Sequence, residues 1–518
     1  MAKTYVRFDR GQPFLLPPSL QEWLPEDHLV WTVIELVDEL DTAEFHRAYA
    51  TGGAGRPAFD PDMMLGLLLY SYCMGERSSR QIERLCSVDV AYRVVCANLQ
   101  PDHSTIARFR AAHEQALADV FAQVLAVCGR AGMVQVGTVA LDGTKMAASA
   151  ARSATRSRAQ IEAEVARILE EAAATDAAED AAFGQARGDE PPPELADPRT
   201  RRARLRECLR QLDDENAQRE AAEEAAVQQR TARRLQRAKS RTTTITLAPR
   251  PRQRTKVPLS VPRAKANLAV AETEAAAARQ RRRRLEDKAA RQGRRALQGP
   301  VPDLDRGVDS ARAELARAEA AAAERAAKSP INTTDPDSRL MKDRRGYLQA
   351  YNAQAVVSAD GVIVAADVNA SASDTGSFVP MVDTAQALLD TIDKRIGVVL
   401  ADAGYWSEHN AAVPGPDRLI ATTKAHKLRK AKTDPTARPP KTSSPRARKM
   451  EERLLSEHGW ALYAKRSQTV EPIFGIIKEA RGFRRFMRRG LSAARSEWKL
   501  IGASLNIHKL HRHRLRPT

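Results

Sequence analysis

From about residue 151 to about residue 330 the chain is made of Ala, Arg, Glu and Gln with almost no aromatic residues. Such material has too little apolar surface for a core of its own and favours long solvated helices, including antiparallel coiled-coil arms. The runs "AQIEAEVARILEEAAATDAAEDAAF", "TRRARLRECLRQLDDENAQREAAEEAAVQQRTARRLQRAKS" and "ANLAVAETEAAAARQRRRRLEDKAARQ" fit that pattern. "GDEPPPELADP" and "RTTTITLAPRPRQRTKVPLSVPR" interrupt it, because proline removes a helical donor and clashes with the preceding turn. The segment therefore reads as an insertion, and any sheet in this protein must be assembled from strands on either side of it. Arg281 to Arg284 within it read as a solvated helix face, with phosphate contact as the alternative.

Charge is the second constraint. Residues 421–518 hold 25 Lys and Arg against 7 Asp and Glu, so the whole formal excess of +18 lies there, and residues 1–420 balance at 58 of each sign. Such an asymmetric basic end suits a polyanionic partner, nucleic acid before an acidic membrane surface. No run of about 18 apolar residues is present, and "MAKTYVRFDRGQPF" lacks a signal-peptide core, so a cytoplasmic protein with no membrane partner is expected. The five cysteines, Cys73, Cys86, Cys96, Cys128 and Cys208, form no CxxC pair and read as core thiols.

Residues 1–130 read as helical. "SLQEWLPEDHLVWTVIELVDELD" and "DPDMMLGLLLYSYCMG" carry dense apolar spacing, and Asp60-Pro61 is a helix start. "SSRQIERLC" and "DHSTIARFRAAH" each place a cap before a short helix with outward arginines, which suits either a helix-turn-helix DNA reader or a plain helical hairpin.

From Val134 the period changes to that of strands. "VQVGTVALDGTKMAASA" alternates up to Leu141, with Asp142-Gly143 expected to end the strand. After the insertion, "GYLQAYNAQAVVSADGVIVAADVNA" reads as two strands joined at Ala359-Asp360-Gly361, "SFVPMVDTAQALLDTIDKR" as a helix, and "IGVVLADAGYWS" as a buried strand ending in Asp402. Residues 421–450 read as a basic, proline-rich mobile loop. In "LYAKRSQTVEPIFGIIKEARGFRRFMRRG", Thr469 reads as an N-cap and Pro472 as a first-turn residue of a helix. That helix would carry Glu471, Lys478 and Arg485 on one face, within about 40° of one another.

Asp142 and Asp402 at strand ends, with Glu471 on a covering helix, would converge on one edge of a sheet. Oxygen ligands of this kind suit hard Mg²⁺ or Mn²⁺, and two ions about 3.5–4 Å apart can activate a nucleophile and stabilise the leaving oxygen of a phosphodiester. Lys478 and the arginines Arg481, Arg484 and Arg485 would offset phosphate charge beside them. Lys145 could reach phosphate or solvent. His508, His511 and His513 read as part of a basic tail, and Trp498 as core.

The order "LDGTK", "YNAQAVVSADGVIVAADVNASASDTGSFVPM", "ADAGYWSE" and "YAKRSQTVEPIFGIIKEARGFRRFMRRG" resembles the DDE transposases of bacterial insertion sequences. Among them it resembles the group whose last motif runs Tyr, Arg, Glu, Lys, here Tyr463, Arg466, Glu471 and Lys478. The N-terminal "PFLLPPSLQEWLPEDHLVWTVIELVDEL" and the tail "SEWKLIGASLNIHKL" resemble that family's DNA-binding region and closing helix. Only about 151–330 lies outside the likeness, and four residues separate Arg466 from Glu471 where the pattern has three.

The resemblance implies an α+β protein. An all-helical DNA-binding domain (1–130) would precede an RNase H-like mixed-sheet core (134–150 and 331–510), which the insertion (151–330) interrupts. Asp142, Asp402 and Glu471 would be the catalytic ligands of two Mg²⁺ or Mn²⁺ ions. Tyr463, Arg466 and Lys478 would contact the cleaved end of double-stranded DNA. The activity implied is cleavage at the ends of the element and joining to target DNA, by a homo-oligomer on DNA. A catalytically silent DNA-binding derivative is the alternative.

Overall fold

A computed structural model describes residues 19–47, 49, 58–168, 170, 198–240, 258–292, 305–343, 346–433 and 444–516. The chain divides into two compact units, one of Met1–Arg152 with Asp337–Thr518 and one of Ser153–Pro336.

The first unit is built around a mixed sheet. Its strands are β1 (Thr138–Ala147), β2 (Arg339–Asp343), β3 (Gly346–Ser358), β4 (Ile363–Asn369), β5 (Val398–Ala401) and β6 (Asp417–Ile420). The order is β4-β3-β1-β5-β6, with β2 beside the first part of β3. β3 runs antiparallel to β1, β2 and β4, whereas β5 is parallel to β1 and β6 parallel to β5. The β3–β4 hairpin turns where expected, with Gly361 at φ 77° supplying the left-handed residue. β2 and β6, which sequence periodicity does not pick out, are five and four residues long, too short to show a period.

β1 departs from expectation. It does not stop at Asp142-Gly143 but continues to Ala147, because β3 supplies antiparallel partners as far as Ala147↔Ala350. Only the parallel pairing with β5 stops, at Leu141↔Ala401. An Asp-Gly pair ends a strand when it must turn, and here the longer neighbour holds it extended.

The N-terminal helices share one hydrophobic core with this sheet. They are α1 (Leu29–Glu39), α2 (Pro61–Met74), α3 (Ser79–Val88), α4 (Val90–Val95), α5 (His103–Ala112) and α6 (Glu114–Arg130). α2 begins as Asp60-Pro61 predicts, with the Asp60 carboxylate accepting the Asp62 and Met63 amides, and it is buried all round as a central helix. In the two short helices of the possible DNA reader, Ser78 and Asp102 cap as expected. Arg80, Arg84 and Arg108 point outward, but Arg110 turns inward and donates to the Arg77 carbonyl at 2.8 Å. All five cysteines are free and buried, as their spacing suggests.

The later helices are α10 (Phe378–Asp390), α11 (Ala425–Thr433), α12 (Pro445–Leu455), α13 (Glu457–Gly475) and α14 (Leu491–Arg514), the numbers α7–α9 falling in the second unit. α11 and α12 correct the expectation of a loop over 421–450, whose residues 434–443 lie outside those described. α14 is buried along most of its length. Its Trp498 donates to the Gln354 carbonyl at 2.8 Å, and Asn506 pairs with both backbone groups of Ile363 on the edge strand β4. The histidines are not a free basic tail: His508 bonds the Cys73 carbonyl, His511 bonds Thr32 and His513 the Ala131 carbonyl. Burial lowers the proton affinity of His508 and His511.

In the second unit α7 (Pro198–Ser240), α8 (Val261–Arg291) and α9 (Arg306–Ala327) are long helices with mostly solvated faces. α8 and α9 meet through small side chains such as Ala271, Ala275 and Ala311. Both proline-rich interruptions fall largely in residues 171–197 and 241–257, outside those described. Among the described residues, no helix is long and apolar enough to cross a membrane.

Candidate active site

The strand register brings the two aspartates together. Leu141 pairs with Ala401 at the last rung of the parallel β1–β5 ladder, so the next residues, Asp142 and Asp402, leave neighbouring strands side by side. Adjacent strands lie about 4.8 Å apart, which makes this a pair of carboxylates at one level of the sheet. Asp402 then caps a short 3₁₀ turn, accepting the Gly404 amide at 2.8 Å.

Two cations offset these acids. Arg466, on α13, donates to Asp142 at 2.9 Å and to Glu471 at 3.2 Å, and its side chain is only 12% exposed. Five residues along a helix put Arg466 and Glu471 about 140° apart, a gap the length of the arginine closes. Burial, aided by the neighbouring Asp402, pushes the Asp142 carboxyl up to about 6 against the pull of Arg466. Burial raises Asp402 as well, with Asp374 adding to it and Arg466 and Lys145 opposing. Two strand-borne acids that hold protons this readily are short of positive charge.

Glu471 differs. Its side chain is 58% exposed, and its partner is Arg466. Among the described residues, no three Asp, Glu, His or Cys side chains are grouped so as to hold a metal ion. The expected convergence of three acids is thus incomplete, since a guanidinium stands between the first and the third. As hard oxygen donors with raised proton affinity, Asp142 and Asp402 fit a divalent cation in kind.

The helix bearing Glu471 also corrects the sequence reading. It starts at Glu457, capped by Ser456, and Pro472 lies inside it. Thr469 is no cap, because its hydroxyl donates to the Lys465 carbonyl at 2.8 Å. Val470 and Ile473 pack into the core on either side of the proline, which holds the helix through it. A π-helical turn, Ile476–Ala480, follows. The chain then leaves the helix before Arg485, which instead pairs with Ala147 at the end of β1.

The remaining expected contacts separate into two groups. Arg484 and Arg485 are exposed, Arg484 pairing with Glu479. Lys478 donates to the Lys145 carbonyl at 2.8 Å, and burial lowers its proton affinity. Arg481 is turned into the protein, bonding Ser504 at 2.7 Å and the Tyr72 carbonyl at 3.4 Å, so its charge is not presented to a partner. The Tyr463 ring is buried among Leu400, Leu419 and Leu454, with Arg466 near its hydroxyl.

Sequence reading missed Asp374. Its Oδ1 accepts Asn352 at 2.6 Å, Gln354 at 3.0 Å and Lys145 at 3.4 Å, so three donors from β1 and β3 converge on it. Gly143 and Gly404 make room for it: a Cβ at Gly143 would meet Asp374 Oδ1 at 2.9 Å, and one at Gly404 would meet Oδ2 at 3.2 Å. Tyr405 donates to Gln354, closing the network behind the aspartates. The small residues of "SASDTGS" were the available signal, because only such a loop can lie this close.

Residues 18–112 match the family described as Transposase domain (DUF772), and residues 423–511 the family described as Transposase DDE domain. Comparison with curated proteins and with solved structures gives no match. The second match contains Tyr463, Arg466, Glu471 and Lys478, and the first spans α1 to α5. These matches, at either end of a unit whose middle sets two aspartates side by side, support an insertion-sequence DDE transposase.

Proposed function

We propose that this transposase binds the terminal repeats of its own element and catalyses metal-dependent strand cleavage followed by strand transfer, with Asp142, Asp402 and Glu471 as its catalytic acids. The observation that carries the reading is the Leu141↔Ala401 register, which delivers two half-buried carboxylates to one point from residues 260 apart in sequence. A sheet of three antiparallel strands continued by two parallel ones supports an RNase H-like core.

Asp142, Asp402 and Glu471 would hold Mg²⁺ or Mn²⁺, one ion or two, which would supply charge stabilisation at the scissile phosphate and a more acidic attacking hydroxyl. Arg466 keeps the acids neutralised without DNA and becomes a phosphate ligand when it releases them. Arg484, Arg485 and Lys478 hold the backbone of the cleaved end, and Tyr463 braces Arg466 from the core side. Helices α1–α6 form the DNA-binding region, and pairing of two element ends calls for at least two subunits.

A catalytically silent DNA-binding protein is the second reading, favoured by Arg466 standing between Asp142 and Glu471. The test is Mg²⁺- or Mn²⁺-dependent cutting and joining of a labelled duplex carrying the DNA that flanks this gene, wild type against Glu471→Gln. Cutting at a defined end, followed by joining and lost in the variant, is expected. Tight binding without strand breakage under either metal would establish the silent protein instead.

A further inference from the structure

The ribbon that carries Asp142 does not end at the acids. In the β1–β3 register Asp142 lies opposite Ala355, Thr144 opposite Ala353 and Met146 opposite Tyr351. Directly opposed residues share a face and every second residue returns to it, so Ala353, Tyr351, Gln349 and Tyr347 continue the face of Asp142 along β3. Protein covers this face as far as Gln349, and beyond that it emerges: Tyr347 is 55% exposed. On β2, Lys342 opposite Tyr347 and Leu340 opposite Gln349 lie on the same face, with Lys342 exposed and Leu340 39% exposed.

Cations border the route between the acids and this tip. The segment after the π-helical turn is stitched to the end of β1, where Ala147 donates to the Arg484 carbonyl at 3.1 Å and Phe486 donates to the Ala147 carbonyl at 2.8 Å. That bond pattern sets the exposed Arg484 along the far edge of the ribbon on the face of Asp142, while Arg485, opposite Ala147, lies on the other face. Asp343, the acid next to Lys342, lies within electrostatic reach of Lys478. A tyrosine and a leucine flanked by a lysine, at the end of a cation-bordered path, suit the sugar–phosphate edge and groove of a duplex.

We propose that the β2–β3 hairpin is a DNA-contacting finger, with Leu340, Lys342 and Tyr347 against the duplex about eight base pairs from the scissile phosphate; this rests on the transposase reading above. From Ala355, opposite Asp142, to Tyr347 is eight residues. At about 3.4 Å per residue that is about 27 Å, and a duplex rises about 3.4 Å per base pair.

The test uses the full chain with a photocrosslinking phenylalanine derivative in place of Tyr347, and the labelled duplex that flanks this gene. A crosslink mapping roughly six to ten base pairs from the cut site is expected. Lys342→Ala should lower the slope of log affinity against log salt by about 0.9, the loss of one phosphate contact. Tyr347→Ala should weaken end binding by roughly fivefold to tenfold with the slope unchanged. If the protein binds and cuts the duplex but position 347 gives no crosslink, or one beside the cut, the finger is overturned and the transposase reading stands. If the wild type does not bind the duplex at all, both are overturned.

Discussion

Asp142 and Asp402 are held by the sheet, whereas Glu471 is held by one side chain. The aspartates issue from adjacent strands at a fixed rung, and Asp142 is 19% exposed. Glu471 sits on an exposed helical position, 58% accessible, tied through Arg466. A register backed by a buried core cannot slip without turning every side chain to the wrong face. A single guanidinium reaching from a helix is under no such constraint of register. The site therefore has a preorganised half and an adjustable half, and Arg466 is the joint between them.

The sharpest way to break that comparison is Asp402→Asn, which should lower strand cleavage on the order of a thousandfold, because a strand-borne cation ligand is worth several kcal/mol at the transition state. End-binding affinity, measured by fluorescence anisotropy, should stay within about threefold of wild type. Normal cutting by this variant would remove Asp402 from the acids.

Arg466→Gln tests the joint. Without a divalent ion the two aspartates would lose their nearest cation, and denaturant unfolding at pH 7 should show a loss of about 1–3 kcal/mol. Added Mg²⁺ should restore part of that loss, and no response to Mg²⁺ would count against the acids as its site.

Asp142 itself gives a pH signature. Its folded-state pKa of about 6 lies above the ordinary 3.8, so the fold favours the protonated form. Stability from this group is complete below about pH 4, declines as pH rises through 6 and is flat above. Asp142→Asn should therefore stabilise the metal-free protein at pH 8 by about 1–3 kcal/mol, with the gain vanishing near pH 4. An equal gain at both pH values would refute the raised affinity.

The smallest effect is expected at Glu471. Because its carboxylate is largely solvated, Glu471→Gln should change unfolding free energy by less than about 0.5 kcal/mol. A loss above about 2 kcal/mol would mean that the helix acid is as rigidly held as the strand acids.

Much of this arrangement is legible in the residues. The alternation before Asp142, the Val- and Ala-rich runs of β3 and β4, and the Asp60-Pro61 cap all lead to the elements observed. Each is a local signal backed by packing that agrees with it. Reading fails where distant packing overrides the local cue. Pro472 looks like a helix start, yet Val470 and Ile473 bind the core and carry the helix across it. Asp142-Gly143 looks like a turn, yet β3 keeps pairing past it. Arg110 and Arg481 look like surface cations, but carbonyls elsewhere in the fold capture them.

The sequence by itself determined the chemical parts of this protein: the acids, the basic end, the strand and helix segments, and an insertion too polar to be their core. Composition and short-range periodicity suffice for these, because they depend on neighbours a few residues away. Only the tertiary structure decided that Leu141 meets Ala401, that Asp374 gathers Asn352, Gln354 and Lys145, and that Arg466 lies between Asp142 and Glu471. Those contacts join residues up to 324 apart in sequence, and the register of a shared sheet and the burial of one core set them, which no local pattern encodes.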